Sequence, residues 1–455
     1  MSTAQGALDR RSIVGYGIGD FGMTLYWGAV SYFLLYWYTD VVGLPPAVAG
    51  FVFFVGTTWD AITDPTVGYL VGRSKSRWGR YRPFLLFGSV PLALSFVLLL
   101  WVPPLRDAAL TAALLAAHLL FRTAYTIVGV PYSALSARIS RHSQDRTRLA
   151  GARMVAALAG TLVISSAGFP LVHFLGNGDE RSGFFYLAML AGSFAVLIHL
   201  ACFAATREPP ESGRDGASRD RPYRLSDVGR IVRANTAFLY LLAMTPLFSA
   251  AAAVLQKCLV YYVKYGMNAH DQQHIVLFVH GLAALLATPV WAWVSRHRGR
   301  RKAWRYSTGL MVLAALVLFF APSARMSTFL TLLVPLSIAY AAMGVLFWSM
   351  LPDTIEFGQW RSGVRAESLF FGIASFAQKM SIGIAGWFLG GMLSIVGFVA
   401  DAPQTDMTLM TIKAGMTLVP ALLLVLNLLL VHRYPLDSRL HQRIRAELDG
   451  EDADA

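Results

Sequence analysis

Asp60 and Asp64 stand four residues apart in FVGTTWDAITDPTVGYL, a stretch from Phe54 to Leu70 that is otherwise fit for lipid. On a helix that spacing puts both carboxylates on one face, a turn apart. Two carboxylates so close repel unless a cation sits between them or one is protonated. A carboxylate at bilayer depth is costly enough to mark a functional position. Hard cations such as sodium take oxygen ligands, and Thr63, together with Thr126 from another apolar run, adds hydroxyls to the set. The competing reading is a structural ion pair between these aspartates and a basic residue on a neighbouring span.

Four basic residues, Arg122, Arg153, Lys257 and Lys379, fall inside or near the ends of apolar runs. Lys379, in SLFFGIASFAQKMSIGIAGWFLGG, has long apolar flanks on both sides and cannot reach water by stretching. Arg153 lies near the start of its run, where snorkelling to the interface competes with a cavity role. Arg122 shares a helical face with Tyr125, Thr126 and Gly129, so that face is polar and fit to line a cavity. Tyr26, Trp27, Tyr125, Tyr132 and Trp348 have faces on which a sugar ring stacks, although helix packing and interface belts use the same residues. Counted together, four cations oppose the three carboxylates of Asp20, Asp60 and Asp64, an excess that favours an anionic ligand over a neutral one.

The elements that must position these groups are membrane spans. The 455-residue chain is 56% hydrophobic and 14% charged, beyond the apolar content usual in soluble domains. Apolar runs of about 20 residues, long enough for a ~30 Å hydrocarbon layer, recur along it. Twelve are expected, centred near Trp27, Val55, Leu94, Leu119, Thr161, Leu190, Met244, Leu285, Val312, Leu333, Gly383 and Leu424. The polar stretch TREPPESGRDGASRDRPYRLSDVGR, Thr206 to Arg230, has linker composition and divides six runs from six. The expected organisation is an N-terminal tail over 1–11, six-helix bundles over 12–206 and 231–432, a linker over 207–230 and a C-terminal tail over 433–455.

Basic residues gather after the second run (Arg73, Lys75, Arg77, Arg80, Arg82), the fourth (Arg138, Arg141, Arg146, Arg148) and the eighth (Arg296, Arg298, Arg300, Arg301, Lys302, Arg305). The breaks after runs one, three, five, seven and nine carry at most one each. Because Lys and Arg are retained on the cytoplasmic side of short loops, both termini are expected to be cytoplasmic. The net charge of +13 then follows from topology and calls for no nucleic acid. The polar start MSTAQGALDRR leads into a run too long for a signal-peptide core, so the first span is expected to stay in place. Cys202 and Cys258, both within apolar runs, suggest neither a disulfide framework nor a metal knuckle.

GYLVGRSKSRWGRYRP after run two and VWAWVSRHRGRRKAW after run eight resemble each other, each a span exit followed by Gly-Arg and further basic residues. Duplicated six-span halves with a site at their interface are how many secondary transporters are built. These loops resemble the signature loop of the major facilitator superfamily. Together with WDAITDPTVGYL, YTIVGVPYSAL, DRTRLAGARMVAALAG and LPDTIEFGQWRSGVRAESLFFGIASFAQK, they make the chain similar, from about Gly15 to Tyr434, to that superfamily's glycoside–pentoside–hexuronide:cation symporter family (melibiose permease-like).

The resemblance implies an all-α membrane protein with twelve transmembrane helices in two bundles, coupling sugar entry to Na+, Li+ or H+ by alternating access. It implies that Asp60, Asp64 and Thr126 are cation-site residues and that Lys379 stands near them. Ser375 and Arg153 fall on sugar-cavity positions. Where melibiose permeases hold galactosides with two aspartates, this chain has Thr24 and Gly129, and a neighbouring tryptophan is Ser133, so galactoside specificity is not carried over. GYGIGDFG and VPYSAL resemble the glucuronide and xyloside branch, and Asp20 belongs to that pattern.

The expected substrate set is therefore Asp20, Thr24, Arg122, Tyr125, Gly129, Arg153, Lys257, Ser375 and Lys379, for a sugar or glycoside that is a hexuronide or a pentoside. The cation set is Asp60, Asp64, Thr126 and Thr63. Arg77, Arg80 and Arg300, with Asp353 and Glu356 near the inner end of the tenth run, form the expected gate. No organic cofactor is expected, and the protein is expected to work as a monomer in a cell inner membrane. Two rivals share the helix-two element or the cavity: a sodium-dependent lysolipid carrier and a sugar sensor that does not transport. An intramembrane aspartyl protease, suggested by GIGD at Gly17–Asp20, needs two aspartates facing each other from adjacent helices; Asp60 and Asp64 share one, and no enzyme is expected.

Overall fold

The computed structural model describes residues 8–74, 76–139, 143–208, 228–321, 325–363 and 367–451. Among them all regular structure is helical. The long helices are α1 (Arg10–Tyr32), α2 (Pro46–Gly72), α3 (Arg82–Leu99), α4 (Asp107–Ile139), α5 (Ser143–Gly176) and α6 (Glu180–Ala205), then α7 (Thr236–Tyr261), α8 (Gln273–Arg298), α9 (Arg300–Phe320), α10 (Met326–Ser362), α11 (Glu367–Ile395) and α12 (Asp406–Arg433). Each contains one of the twelve expected run centres. An amphipathic helix, α13 (Ser438–Glu451), follows. Most of the expected linker, and Lys75 and Arg141 of the basic loops, lie outside the described residues.

Eleven of the described helices are long and apolar enough to cross a membrane. α1 is the twelfth of span length and falls short in apolarity because Gly15, Gly17, Gly19, Asp20 and Gly22 crowd its first half. Buried backbone in a bilayer must satisfy its own hydrogen bonds, which is why helices carry the whole spanning architecture. α12 is interrupted at Thr417. Pro420 lacks the N–H that would bond the Met416 carbonyl, and the helix breaks at that point.

The chain divides into two compact units. The first comprises Met1–Glu211 with Asp271–Gly281 and Gly390–Pro403; the second comprises Ser212–His270, Leu282–Leu389 and Gln404–Ala455. In the first unit α1 packs most extensively on α5 and α6, and α4 packs on α2 and α3. In the second, α9 packs on α10 and α12, and α7 on α10 and α12. After α12, Tyr434, Leu436 and Ile444 are buried, and α13 packs on α10.

Candidate coupling and sugar site

Two close approaches set the site in the first unit. At Gly56 of α2 a Cβ would stand 2.3 Å from the His118 imidazole of α4, so only glycine lets these helices meet there. The Trp59 indole N–H then donates to the Thr123 hydroxyl at 2.9 Å. With the two helices in that register, the Thr126 hydroxyl donates to Asp64 at 2.9 Å and lies 3.4 Å from the Thr63 hydroxyl. Thr63 and Thr126 are buried; Asp64 is half-buried.

Asp60 faces a different partner. Its carboxylate lies 3.5 Å from Arg122 Nη1, with the two side chains 0% and 1% exposed. Arg122 Nε donates to the Gly56 carbonyl at 3.3 Å, and its guanidinium stands 5.4 Å from the centre of the Trp27 ring. Trp27 in turn lies 6.2 Å from Tyr125. The two aspartates, one turn apart on the same helix, therefore meet an arginine and the Thr126 hydroxyl respectively.

The second approach is at Gly17 of α1, where a Cβ would stand 2.8 Å from that of Ala152 on α5. Ala152 immediately precedes Arg153, so this contact brings Arg153 against Asp20. Nε donates to one carboxylate oxygen at 3.0 Å and Nη2 to the other at 3.4 Å. The guanidinium lies 5.0 Å from the Tyr132 ring centre and Nη1 donates to the Tyr16 hydroxyl at 3.5 Å. Tyr16 and Tyr132 stack at 5.0 Å and each donates its hydroxyl to the other's backbone carbonyl, at 3.2 and 2.8 Å. Thr24 is buried beside this cluster and donates to the Asp20 carbonyl. Gly129 borders Met23, whose Cε is 3.0 Å from where a Cβ would be.

Lys257, Ser375 and Lys379 belong to the second unit. Lys257 is buried on α7, while Ser375 and Lys379 are half-buried on α11.

Of the gate residues, Arg300 pairs with Asp353 inside the second unit. Glu356 accepts from His441 of α13 at 2.7 Å, and the same imidazole nitrogen lies 3.5 Å from Asp353. Glu356's hydrogen bond, and then the charge of Asp353, raise the His441 pKa above its usual 6.5 against the opposing pull of partial burial. In the first unit Arg77 stacks on Trp78 at 4.1 Å. Arg80 is held through its backbone: the Glu208 carboxylate accepts from the N–H groups of Arg80, Tyr81 and Arg82, each at 2.8 Å. Gly79, at φ +105°, makes the turn that exposes those groups. Arg82 closes the arrangement by donating to the Phe203 carbonyl at 2.7 Å.

Sequence reasoning passed over Glu208 and His441. Glu208 carries no local signal, being one acid at the edge of a linker-like stretch. His441 had one: Leu440, Ile444 and Leu448 recur every four residues, the apolar stripe of a helix that packs.

The sequence matches the family described as MFS/sugar transport protein over residues 15–438. It is 27% identical over 441 residues to the isoprimeverose transporter of Lactiplantibacillus pentosus, covering 95% of this chain and 90% of that one. It is 26% identical over 455 residues to the glucuronide carrier protein homolog of Escherichia coli (strain K12), covering 97% and 96%. Among solved structures, the partially occluded inward-open xylose transporter of E. coli superposes with a TM-score of 0.61 at 13% identity, over 94% of this chain and 97% of that one.

Proposed function

Because the chain belongs to the MFS/sugar transport family, as a multi-pass protein of the glycoside–pentoside–hexuronide:cation symporter type, we propose that it couples entry of an uncharged glycoside to a cation by alternating access. The observation that carries this reading is the oxygen cluster of half-buried Asp64 with buried Thr126 and Thr63 on helices that cross the membrane. A carboxylate with two hydroxyls is a donor set for a sodium or lithium ion, and a carboxylate alone takes a proton. Thr126 stands on the same helix as Tyr125 and Gly129, so cation and sugar positions share α4 as one rigid element. Filling one position biases the placement of the other, which is the coupling free energy that symport requires.

The pairings alter the charge count. Arg153 is engaged by Asp20 and Arg122 by Asp60, so neither guanidinium of the first unit stands ready for a carboxylated sugar. That supports an uncharged glycoside or pentoside over the anionic ligand that residue counting alone favours. The two relatives differ on this point, one being named for isoprimeverose and the other for a glucuronide. Trp27, half-buried, offers a ring face for stacking, and the Asp20–Arg153 pair offers donors and acceptors for hydroxyls. The clusters of arginine after α2, α4 and α8 support an orientation with both termini in the cytoplasm of a cell inner membrane.

The test is uptake of labelled glycosides, a xyloside and a glucuronide among them, into proteoliposomes under a sodium gradient and then a proton gradient. The expected outcome is accumulation of the xyloside, inhibited by other uncharged glycosides and not by glucuronides, and abolished in Asp64→Asn. Failure of both gradients to drive any sugar would overturn the reading and favour lysolipid transport or sensing.

A further inference from the structure

α10 carries Pro352 near its C-terminal end. Proline lacks the N–H that would bond the Trp348 carbonyl, so the helix can bend at that point. The arm beyond it, 352–362, stops at Gly363, whose φ is +66°. Two contacts hold the base of the arm. Arg300 of α9 pairs with Asp353, and the Asn235 amide, at the start of α7, donates to the Thr354 carbonyl at 2.7 Å. Neither an arginine nor an asparagine side chain titrates near neutral pH. The rest of the arm is held by α13. Glu356 accepts from His441 at 2.7 Å, Asp353 lies 3.5 Å from the same nitrogen, and Glu447 accepts from the Trp360 indole at 2.8 Å. α13 is itself seated by fully buried Ile444 and by Ser438, whose Oγ stands 2.6 Å from where a Cβ on Gly299 would be.

We propose that α13 is a proton-operated latch on the proline-hinged arm of α10: with His441 charged it holds the arm and slows sugar exchange, and with His441 neutral it lets the arm swing on Pro352. An imidazole changes charge near neutral pH, and the groups that face this one favour the charged form. From α10 these are Glu356, whose hydrogen bond is the largest influence, and Asp353; Arg300 of α9 and partial burial oppose them. The folded pKa is raised, so the latch is fully set below about 6.5 and is released as pH rises through the higher folded value. The inference rests on the alternating-access reading above, in which the cytoplasmic ends of the spans must open and close a path, as hinged elements do. It adds to that reading a control by the pH of the cytoplasm.

The test is exchange of a labelled xyloside for unlabelled xyloside across proteoliposomes, at the same pH on both sides and with no cation gradient. In the unmodified protein, exchange at pH 8.5 is expected to be about fivefold faster than at pH 6, the effect of one partly exposed ion pair. His441→Gln, which is never charged, should be fast at both values, and His441→Arg, which is always charged, slow at both. Hydrogen exchange of amides 356–362 in the same proteins, corrected for the intrinsic rate at each pH, should follow the same pattern. In Glu356→Gln the midpoint of the pH response should fall, because the acceptor that most favours the charged imidazole has lost its charge.

A pH response that persists in His441→Gln, or a midpoint unmoved in Glu356→Gln, would hand control to another group and overturn the inference. Faster exchange at pH 6 would reverse its sign and overturn it too. Amides that follow the charge of His441 while sugar exchange does not would make α13 a brace with no hold on transport, which is also against it. If the unmodified protein exchanges no sugar and no gradient drives uptake, the transport reading fails. The amides of the four proteins then still decide whether α13 latches α10.

Discussion

On the proposed reading, Asp64 is the residue on which cation coupling turns, and Thr126 is the one that aims it. Replacing Thr126 by Ala removes a 2.9 Å hydrogen bond to the carboxylate and one ligand oxygen. A lost hydrogen bond to a charged group amounts to about 1.5–3 kcal/mol. The expected outcome is therefore a cation half-saturation raised on the order of tenfold or more, with the amount of protein in the membrane unchanged. Uptake measured against cation concentration checks this, and an unchanged half-saturation would remove Thr126 from the ligand set.

At the scale of elements, two contacts beyond the candidate site hold the chain near its basic turns. Glu208 meets three backbone N–H groups at the start of α3. Charge-assisted bonds to helix-terminal amides each contribute more than neutral ones. Glu208→Ala should free the turn around Gly79, with amides 80–82 exchanging hydrogen about tenfold faster, a loss of about 1.4 kcal/mol within the range of helix caps. Hydrogen exchange by mass spectrometry reads this directly; unchanged rates would mean that water replaces the carboxylate without cost.

The clasp of α13 on α10 depends on pH. The His441 pKa is raised in the folded protein chiefly by its bond to Glu356, so the protonated clasp is fully formed below about 6.5, the ordinary histidine value. Its contribution fades as pH rises through the higher folded value. α13 is therefore expected to resist proteolysis at pH 6 and to yield faster at pH 8.5. In His441→Gln that pH dependence should disappear; if it persists, another group governs the helix.

For the whole molecule, orientation is the testable property. Cys202 and Cys258 are both fully buried, so an introduced cysteine is the reactive one. A membrane-impermeant maleimide should label Arg298→Cys, at the end of α8, only in inside-out vesicles, and Arg181→Cys, at the start of α6, only in right-side-out ones. The reverse pattern would place the arginine clusters outside and contradict the positive-inside reading. Labelling of both sites in both preparations would mean leaky vesicles, which a soluble cytoplasmic marker enzyme detects.

Span number and span centres were legible in the sequence because bilayer thickness imposes a length and apolarity that a local window can read. The one-turn spacing of Asp60 and Asp64 was an equally local property. Pairing was not. Whether Asp60 meets a cation or an arginine depends on which residue of α4 lies opposite it, and that register is set by Gly56 against His118 and by Trp59 against Thr123. The same holds for Asp20 with Arg153, brought together by Gly17, and for Glu208 and His441, whose partners lie 85 to 128 residues away. Sequence alone thus determined the class of molecule and the residues able to carry charge through lipid. Only the tertiary structure decided which charges neutralise one another, because an ion pair in a low-dielectric interior forms between groups the fold brings within a few ångströms, whatever their distance along the chain.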